Sequence, residues 1–243
     1  DRSGAADSGR QRTSRMKLLL LLPALVLSGC ASLAPEPPVP TPVADGWHAV
    51  SLPGKAATLY ETTQKDGRWA TAAHSERSAS MWRRKLHRAP GQIAGVRFSW
   101  WVQDVIAEAS VADASREDAP ARVMFGFGGD LATLPMRTRM MFDLAEALTG
   151  EKPPYATLMY VWDAKAPVGT VIINPRSDRI RKIVVDSGPG QLRRWREHQR
   201  DLAADFRLAF GEPPGPLQSV ALMTDSDNTQ SQATSWYGPV NVD

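Results

Sequence analysis

Beyond residue 45 the chain alternates between apolar and polar positions in short bursts, the period-two pattern of strands that bury one face. The clearest case runs from Val96 to Gln103. Val96, Phe98, Trp100 and Val102 share one face, and Arg97, Ser99, Trp101 and Gln103 share the other. Comparable runs at 47–51, 57–63, 68–74, 78–86, 121–128, 156–162, 169–173, 180–186, 217–224 and 233–242 are separated by turn formers such as Pro53-Gly54 and Asp66-Gly67. Two segments break this period. Residues 136–148 place Met140, Met141, Leu144 and Leu148 at helical spacing ahead of Gly150, and 202–210 is closed by Gly211 and Pro213. About ten short strands with two short helices in the connections predict a mostly β chain, an antiparallel β-sandwich of jelly-roll type.

The N-terminal pattern is different. Met16-Lys17 opens an apolar run from Leu18 to Leu27 that ends in Leu27-Ser28-Gly29-Cys30. Such a run is too short for a bilayer core that takes about 20 helical residues, and it fits the apolar region of a signal peptide behind a short basic segment. Leu-Ser-Gly-Cys is the lipobox pattern of bacterial lipoproteins, so Cys30, the single cysteine, is the expected lipidation site and membrane anchor. Ala31, rather than Asp, follows it, which predicts the periplasmic face of the outer membrane. Residues 1–15 read as upstream sequence, 16–29 as signal peptide and 30–45 as the lipidated cysteine with a Pro-rich tether. Residues 46–243 read as one β-sandwich domain. Pro35, Pro37, Pro38, Pro40 and Pro42 make the tether a semi-stiff spacer of roughly 40 Å at full extension.

Composition adds limits. With 243 residues, 42% hydrophobic and 23% charged, the chain is neither disordered nor polytopic. Its formal charge of +3 comes from the leader: residues 1–29 hold five of the 29 basic and two of the 26 acidic residues, leaving the signs equal from Cys30 onward. That balance argues against nucleic acid as a partner. No second thiol exists, so the domain folds without an internal disulfide.

Catalytic signatures are absent from the sequence: there is no His-Glu-x-x-His, Gly-x-Ser-x-Gly, P-loop or complete dinucleotide-binding motif. The four histidines lack zinc-ligand spacing. The candidate chemistry lies at strand ends. Asp225-Ser226-Asp227-Asn228-Thr229 follows an apolar strand, and its oxygen side chains suit calcium, with Asp225, Asp227 and Asn228 as ligands. An EF-hand is excluded because Gln230 and Trp236 occupy its glycine and glutamate positions. An Asx-turn and direct ligand contact are the alternatives. Arg122 faces away from Val123, Phe125 and Phe127, as either a solvated charge or a buried partner of Asp118, Asp163 or Asp225. Among eight tryptophans, Trp101 stands opposite Trp100, either beneath a helix or open for stacking on a sugar, and Trp162 is a second candidate wall. Arg193, Arg194, Arg196 and Arg200, interleaved with Glu197 and Asp201, read as a salt-bridged surface.

Five segments occur in a specific order: Asp118-Ala119-Pro120-Ala121-Arg122-Val123, Tyr160-Val161-Trp162-Asp163, Ile183-Val184-Val185-Asp186-Ser187-Gly188, Asp205-Phe206-Arg207-Leu208-Ala209-Phe210-Gly211, and Ala221 to Thr229. The set resembles the bacterial family called domain of unknown function 3047, over roughly Gly46 to the C-terminus. The resemblance implies an exported, periplasmic β-sandwich and carries no activity with it. Two functional readings follow. The first is a non-catalytic binding or scaffolding lipoprotein that recognises a glycan or an envelope protein, through Asp118, Arg122, Asp163, Trp101 and Trp162. The alternative is a carboxylate-dependent enzyme acting on envelope polysaccharide through Asp118, Asp163 and Asp225, whose strand ends a sandwich would gather into one rim.

Overall fold

The strand with the cleanest alternation sets the geometry of the domain. In the computed structural model, which describes residues 46–243, Val96, Phe98, Trp100 and Val102 of this strand point into the core. The leader, Cys30 and the tether lie outside the described residues. Among the described residues there are thirteen strands: β1 (Trp47–Ser51), β2 (Leu59–Lys65), β3 (Arg68–Glu76), β4 (Ser80–Arg88), β5 (Gly95–Val102), β6 (Ala119–Phe127), β7 (Ala156–Asp163), β8 (Val171–Asn174), β9 (Ser177–Ser187), β10 (Trp195–Asp201), β11 (Leu217–Asp225), β12 (Gln232–Tyr237) and β13 (Asn241–Val242). The two helices are α1 (Met136–Thr149) and α2 (Leu202–Phe210).

One sheet has seven strands in the order β1-β4-β11-β6-β7-β9-β8; the other runs β10-β5-β12-β3-β2, with β13 also paired to β5. The protein is therefore a mostly β sandwich with two helices in connections, as the alternation predicts. Every pairing is antiparallel except β7 with β9, because β8 and β9 form a hairpin that inserts its second strand beside β7. Inward residues of both sheets interdigitate: Phe98 stacks on Tyr160 at 5.4 Å between centroids, and Trp100 lies 6.3 Å from Trp162. Helix α2 closes the core by inserting Leu202, Phe206 and Ala209, with Phe206 4.5 Å from Phe127. Its ends follow from local chemistry. The Asp201 carboxylate accepts the Ala204 N–H at 2.8 Å, and Gly211, at φ +73°, takes the left-handed conformation that ends the helix.

Two local expectations are corrected. The stretch read as a salt-bridged surface contains the edge strand β10, whose inward residues are Arg196, His198 and Arg200 rather than apolar ones. The run 233–242 is not one strand: it breaks between β12 and β13 at Gly238-Pro239, where Gly238 lies so close to Ser99 that a Cβ would meet its Oγ at 2.2 Å. The 103–118 segment folds back over the outer face of the seven-stranded sheet. There Val111 packs with Met159, Val161, Ile172 and Val184.

The approach to β11 has no spare space. A Cβ on Gly215 would meet the Gly128 carbonyl oxygen at 2.0 Å, a backbone contact that no rotamer relieves. Gly215→Ala should therefore destabilise the domain by about 1–3 kcal/mol. A thermal melt would show it, and a variant melting with the parent would mean that this strand entry yields freely.

Candidate functional site

The registers bring the expected strand ends together. Asp225 at the end of β11 pairs with Ala119 at the start of β6, and Arg122 pairs with Val161 of β7, two residues before Asp163. Asp118, Arg122, Asp163 and Asp225 thus occupy one end of the seven-stranded sheet, beneath the 103–118 segment. Of the partners open to it in sequence, Arg122 takes Asp225: its Nε and Nη2 donate to the two carboxylate oxygens, both at 2.9 Å, and Nη2 also donates to the Glu117 carbonyl at 2.6 Å. The arginine is 2% exposed. Burial opposes its charge, but the nearby Asp225 and Glu117 carboxylates outweigh that effect and hold it firmly protonated. Burial pushes the Asp225 carboxyl up to about 6 even against the pull of Arg122.

The network extends to residues that the sequence did not mark. Lys182, wholly buried on β9, donates to Glu117 Oε1 at 2.6 Å and to the Val111 carbonyl. Asn174 Nδ2 donates to the same oxygen at 2.6 Å. Burial, followed by the charge of Arg122, pushes the Lys182 amine down to about 8. The available signal was that alternation puts Lys182 on the same strand face as Ile180 and Val184, since an unpaired cation rarely survives on an apolar face.

The other acidic residues are held just as closely. Asp118 accepts the Asn228 N–H at 3.1 Å and both the N–H and the hydroxyl of Thr229 at 2.6 Å. Asp163 accepts the Lys165, Ala166 and Val111 N–H groups, the first two closing an Asx-type turn. Asp227 pairs with Lys55, and the Asn228 amide donates to the Ala114 carbonyl. Carboxylate oxygens of Asp118, Asp225 and Asp227 lie within 4.8 Å of one another. Arg122 and Lys55 already supply positive charge there, and every one of these carboxylates accepts an internal hydrogen bond. The arrangement works as a clamp that ties the 103–118 and 226–231 segments to the sheet. None of Asp118, Asp163 and Asp225 is more than 3% exposed, so none presents an oxygen to a glycosidic bond.

A second buried network lies along β10. Asp186 accepts from the Trp100 indole N–H and from His198 Nε2, both at 2.8 Å, and from Arg196 Nε at 3.0 Å. Next to it Arg200 forms two 2.8 Å bonds to Asp205, which also accepts the Tyr160 hydroxyl at 2.7 Å. Inward-pointing charges on an edge strand keep it from pairing with another chain.

The tryptophans divide sharply. Trp162, expected as a stacking wall, is fully buried between the sheets with its N–H on the Gly188 carbonyl, where no ligand reaches its ring. Trp101 projects from the outer face of the six-stranded sheet but is only 8% exposed, covered by the side chains of Lys65 and Trp236 rather than by a helix. Register places Trp195 of β10 on one side of it and Trp236 of β12 on the other, so three indoles occupy one row across three adjacent strands. Trp101 and Trp236 meet edge to face at 5.0 Å. Beside them Ala70 and Ala72 form a low floor, and the exposed side chains of Glu61, Arg68, Glu197 and Gln199 stand around it. The Lys65 amine lies over the Trp101 ring at 3.7 Å and Arg68 over Trp195 at 4.4 Å. The indole N–H groups of Trp101 and Trp195 are buried and donate to nothing among the described residues. Trp101 was legible from the alternation of its strand, but its two neighbours were not, because they join it only through strand pairing.

The molecule is thus a mostly β sandwich with a buried, internally bonded acidic cluster at one end of its seven-stranded sheet and an indole row on the outer face of the other sheet. The family described as protein of unknown function (DUF3047) matches residues 45–241, and the chain belongs to it. No curated protein sequence matches the chain. Among solved structures it is similar to the family 11 carbohydrate-binding module of the cellulosomal cellulase Lic26A-Cel5E of Clostridium thermocellum, at 8% identity and a TM-score of 0.38 over 80% of this chain and 85% of that one. It is also similar to the xyloglucanase domain of NopAA from Sinorhizobium fredii, at 8% identity and a TM-score of 0.43 over 82% and 95%. A third similar structure is a cellulase derived from Cel12A of Rhodothermus marinus, at 13% identity and a TM-score of 0.43 over 84% and 94%.

Proposed function

We propose that the protein is an outer-membrane lipoprotein, anchored through Cys30, whose domain binds a polysaccharide of the envelope without cleaving it. The observation that carries the binding role is the row Trp195, Trp101 and Trp236 on the outer face of the six-stranded sheet. Indole faces stack on the C–H faces of sugar rings, and Trp195 and Trp236 are the partly exposed members of the row. With strands spaced about 4.8 Å apart, the three indoles span roughly 10 Å across the sheet, room for about two sugar rings. Lys65 rests on the rings at the end of the β2–β3 hairpin, and its flexible stem lets a ligand displace it. Binding is favoured over hydrolysis because Asp118, Asp163 and Asp225 are buried and internally bonded, away from this face.

A titration of the domain against peptidoglycan fragments, lipopolysaccharide O-chains and cello-, xylo- and manno-oligosaccharides tests the reading. At least one should bind, and Trp236→Ala should weaken it by about 3–10-fold, the loss expected for one aromatic contact of 0.5–1.5 kcal/mol. Binding by none of the probes, or binding that ignores Trp236→Ala and Trp101→Ala in variants with an unchanged melt, would reject the indole row as the site. Anchoring is read separately, as incorporation of labelled fatty acid that Cys30→Ser abolishes.

A further inference from the structure

Helix α1 carries its apolar side outward. Met136, Met140, Met141, Leu144 and Leu148 are 48–69% exposed, whereas Phe142 on the opposite side is the helix's one buried residue. At 3.6 residues per turn the five fall on a single arc of about 140°. An exposed apolar stripe of this kind on a water-soluble domain marks a surface that something covers. Arg137 lies within the arc and Arg139 beyond its edge, while Lys152 pairs with Asp143 and Glu146 on the flank.

The position of α1 in the fold identifies what covers it. The helix fills the connection from β6 to β7, leaving after Phe127 and returning at Ala156, which are paired with each other. Just after the helix, Glu151 binds Arg83 and Lys85 of β4 at 2.5 and 2.8 Å. The neighbouring Arg84 pairs with Trp47, the first residue of β1. The chain arriving from Cys30 therefore joins the domain at the same end of the sheet as α1, opposite the end that holds Asp118 and Asp225. Only the 15 residues 31–45 separate that junction from the anchor. A bilayer held so close acts at a high effective concentration on whatever surface faces it.

We infer that α1 lies in the surface of the phospholipid leaflet that holds Cys30, with its methionine and leucine stripe in the acyl boundary. Unbranched methionines adapt to a fluid, irregular surface, and the Arg137 stem can follow the stripe while its guanidinium reaches lipid phosphate. The contact orients the domain: its helix end sits on the membrane and the clamped end points away. This inference rests on the anchoring part of the proposed function and is independent of glycan binding.

The test uses the full lipidated chain in vesicles of phosphatidylethanolamine and phosphatidylglycerol with brominated acyl chains. Cys30 is consumed by lipid, so an NBD fluorophore can be placed at Met140→Cys, at Leu144→Cys or, as a control at the far end of the sandwich, at Val168→Cys. Bromolipid should quench the probes at 140 and 144 at least threefold more than the probe at 168. Equal quenching at all three positions, or none at 140 and 144, overturns the inference. Efficient disulfide crosslinking of Leu144→Cys between chains would do the same in favour of self-association. Labelled fatty acid is followed in the same samples. Should it not be incorporated, the anchoring reading fails on its own, and the probes are read with the chain held by an N-terminal His tag on nickel-chelating lipid. Quenching at 140 and 144 there would sustain the helix contact, and its absence would end it.

Discussion

Arg122→Met is expected to lower the stability of the domain by about 3–5 kcal/mol, because removing one member of a buried pair strands the other charge in a dry site. For a domain of this size that corresponds to a fall of about 6–20 °C in melting temperature. The loss has two parts. Asp225 keeps only the Ala119 N–H, and the Glu117 carbonyl loses its guanidinium donor. The 103–118 segment should loosen with them, since Glu117, Val111 and Asp118 tie it down. Hydrogen exchange in that segment should rise before exchange in β5 or β6 does. Asp225→Asn should cost less than Arg122→Met, because burial already disfavours the ionised carboxyl, whose pKa is raised to about 6, whereas the guanidinium stays charged. An Arg122→Met protein that melts within about 2 °C of its parent, or an Asp225→Asn protein that loses more, would show that the clamp is not built around the arginine.

The extent to which this arrangement is legible in sequence depends on whether the signal is local. Trp101 and Trp100 sort onto opposite faces of β5 by period two alone. Arg122 likewise stands out against Val123, Phe125 and Phe127. Its partner Asp225 lies 103 residues away and is selected only by the pairing of β6 with β11. Strand β10 escaped the pattern for a physical reason: its inward positions carry Arg196, His198 and Arg200, so no hydrophobic alternation exists to read. Asp186 and Asp205 make those positions tolerable, and both sit in other elements. Without β10 the indole row loses Trp195, and only Trp101 and Trp236 remain on that face. The methionines of α1 announce a helix correctly, but an apolar stripe has the same spacing whether it faces a core or, as here, the outside.

The second large effect is expected at Asp186. Its carboxylate is nearly inaccessible and accepts from a core indole, an imidazole and a guanidinium. Asp186→Ala would leave the Trp100 N–H without an acceptor inside the sandwich, along with two cationic or polar groups, at a cost of about 2–4 kcal/mol. The pH dependence separates this role from a purely steric one. Burial would raise the Asp186 pKa, but hydrogen bonds from His198 and Trp100, the charge on His198 and the bond from Arg196 outweigh it and hold it below the usual carboxylate value. A carboxylate with a depressed folded-state pKa contributes stability that is present above its unfolded value, near pH 4, and is lost as the pH falls through the folded value. The stability difference between the parent and Asp186→Asn should therefore be largest at pH 7 and shrink below pH 4. Urea unfolding at pH 7, 5 and 3 measures it. A difference that stays constant across that range would mean that the carboxylate's charge adds nothing and that only its shape and hydrogen-bonding capacity matter to the β9–β10 side of the core.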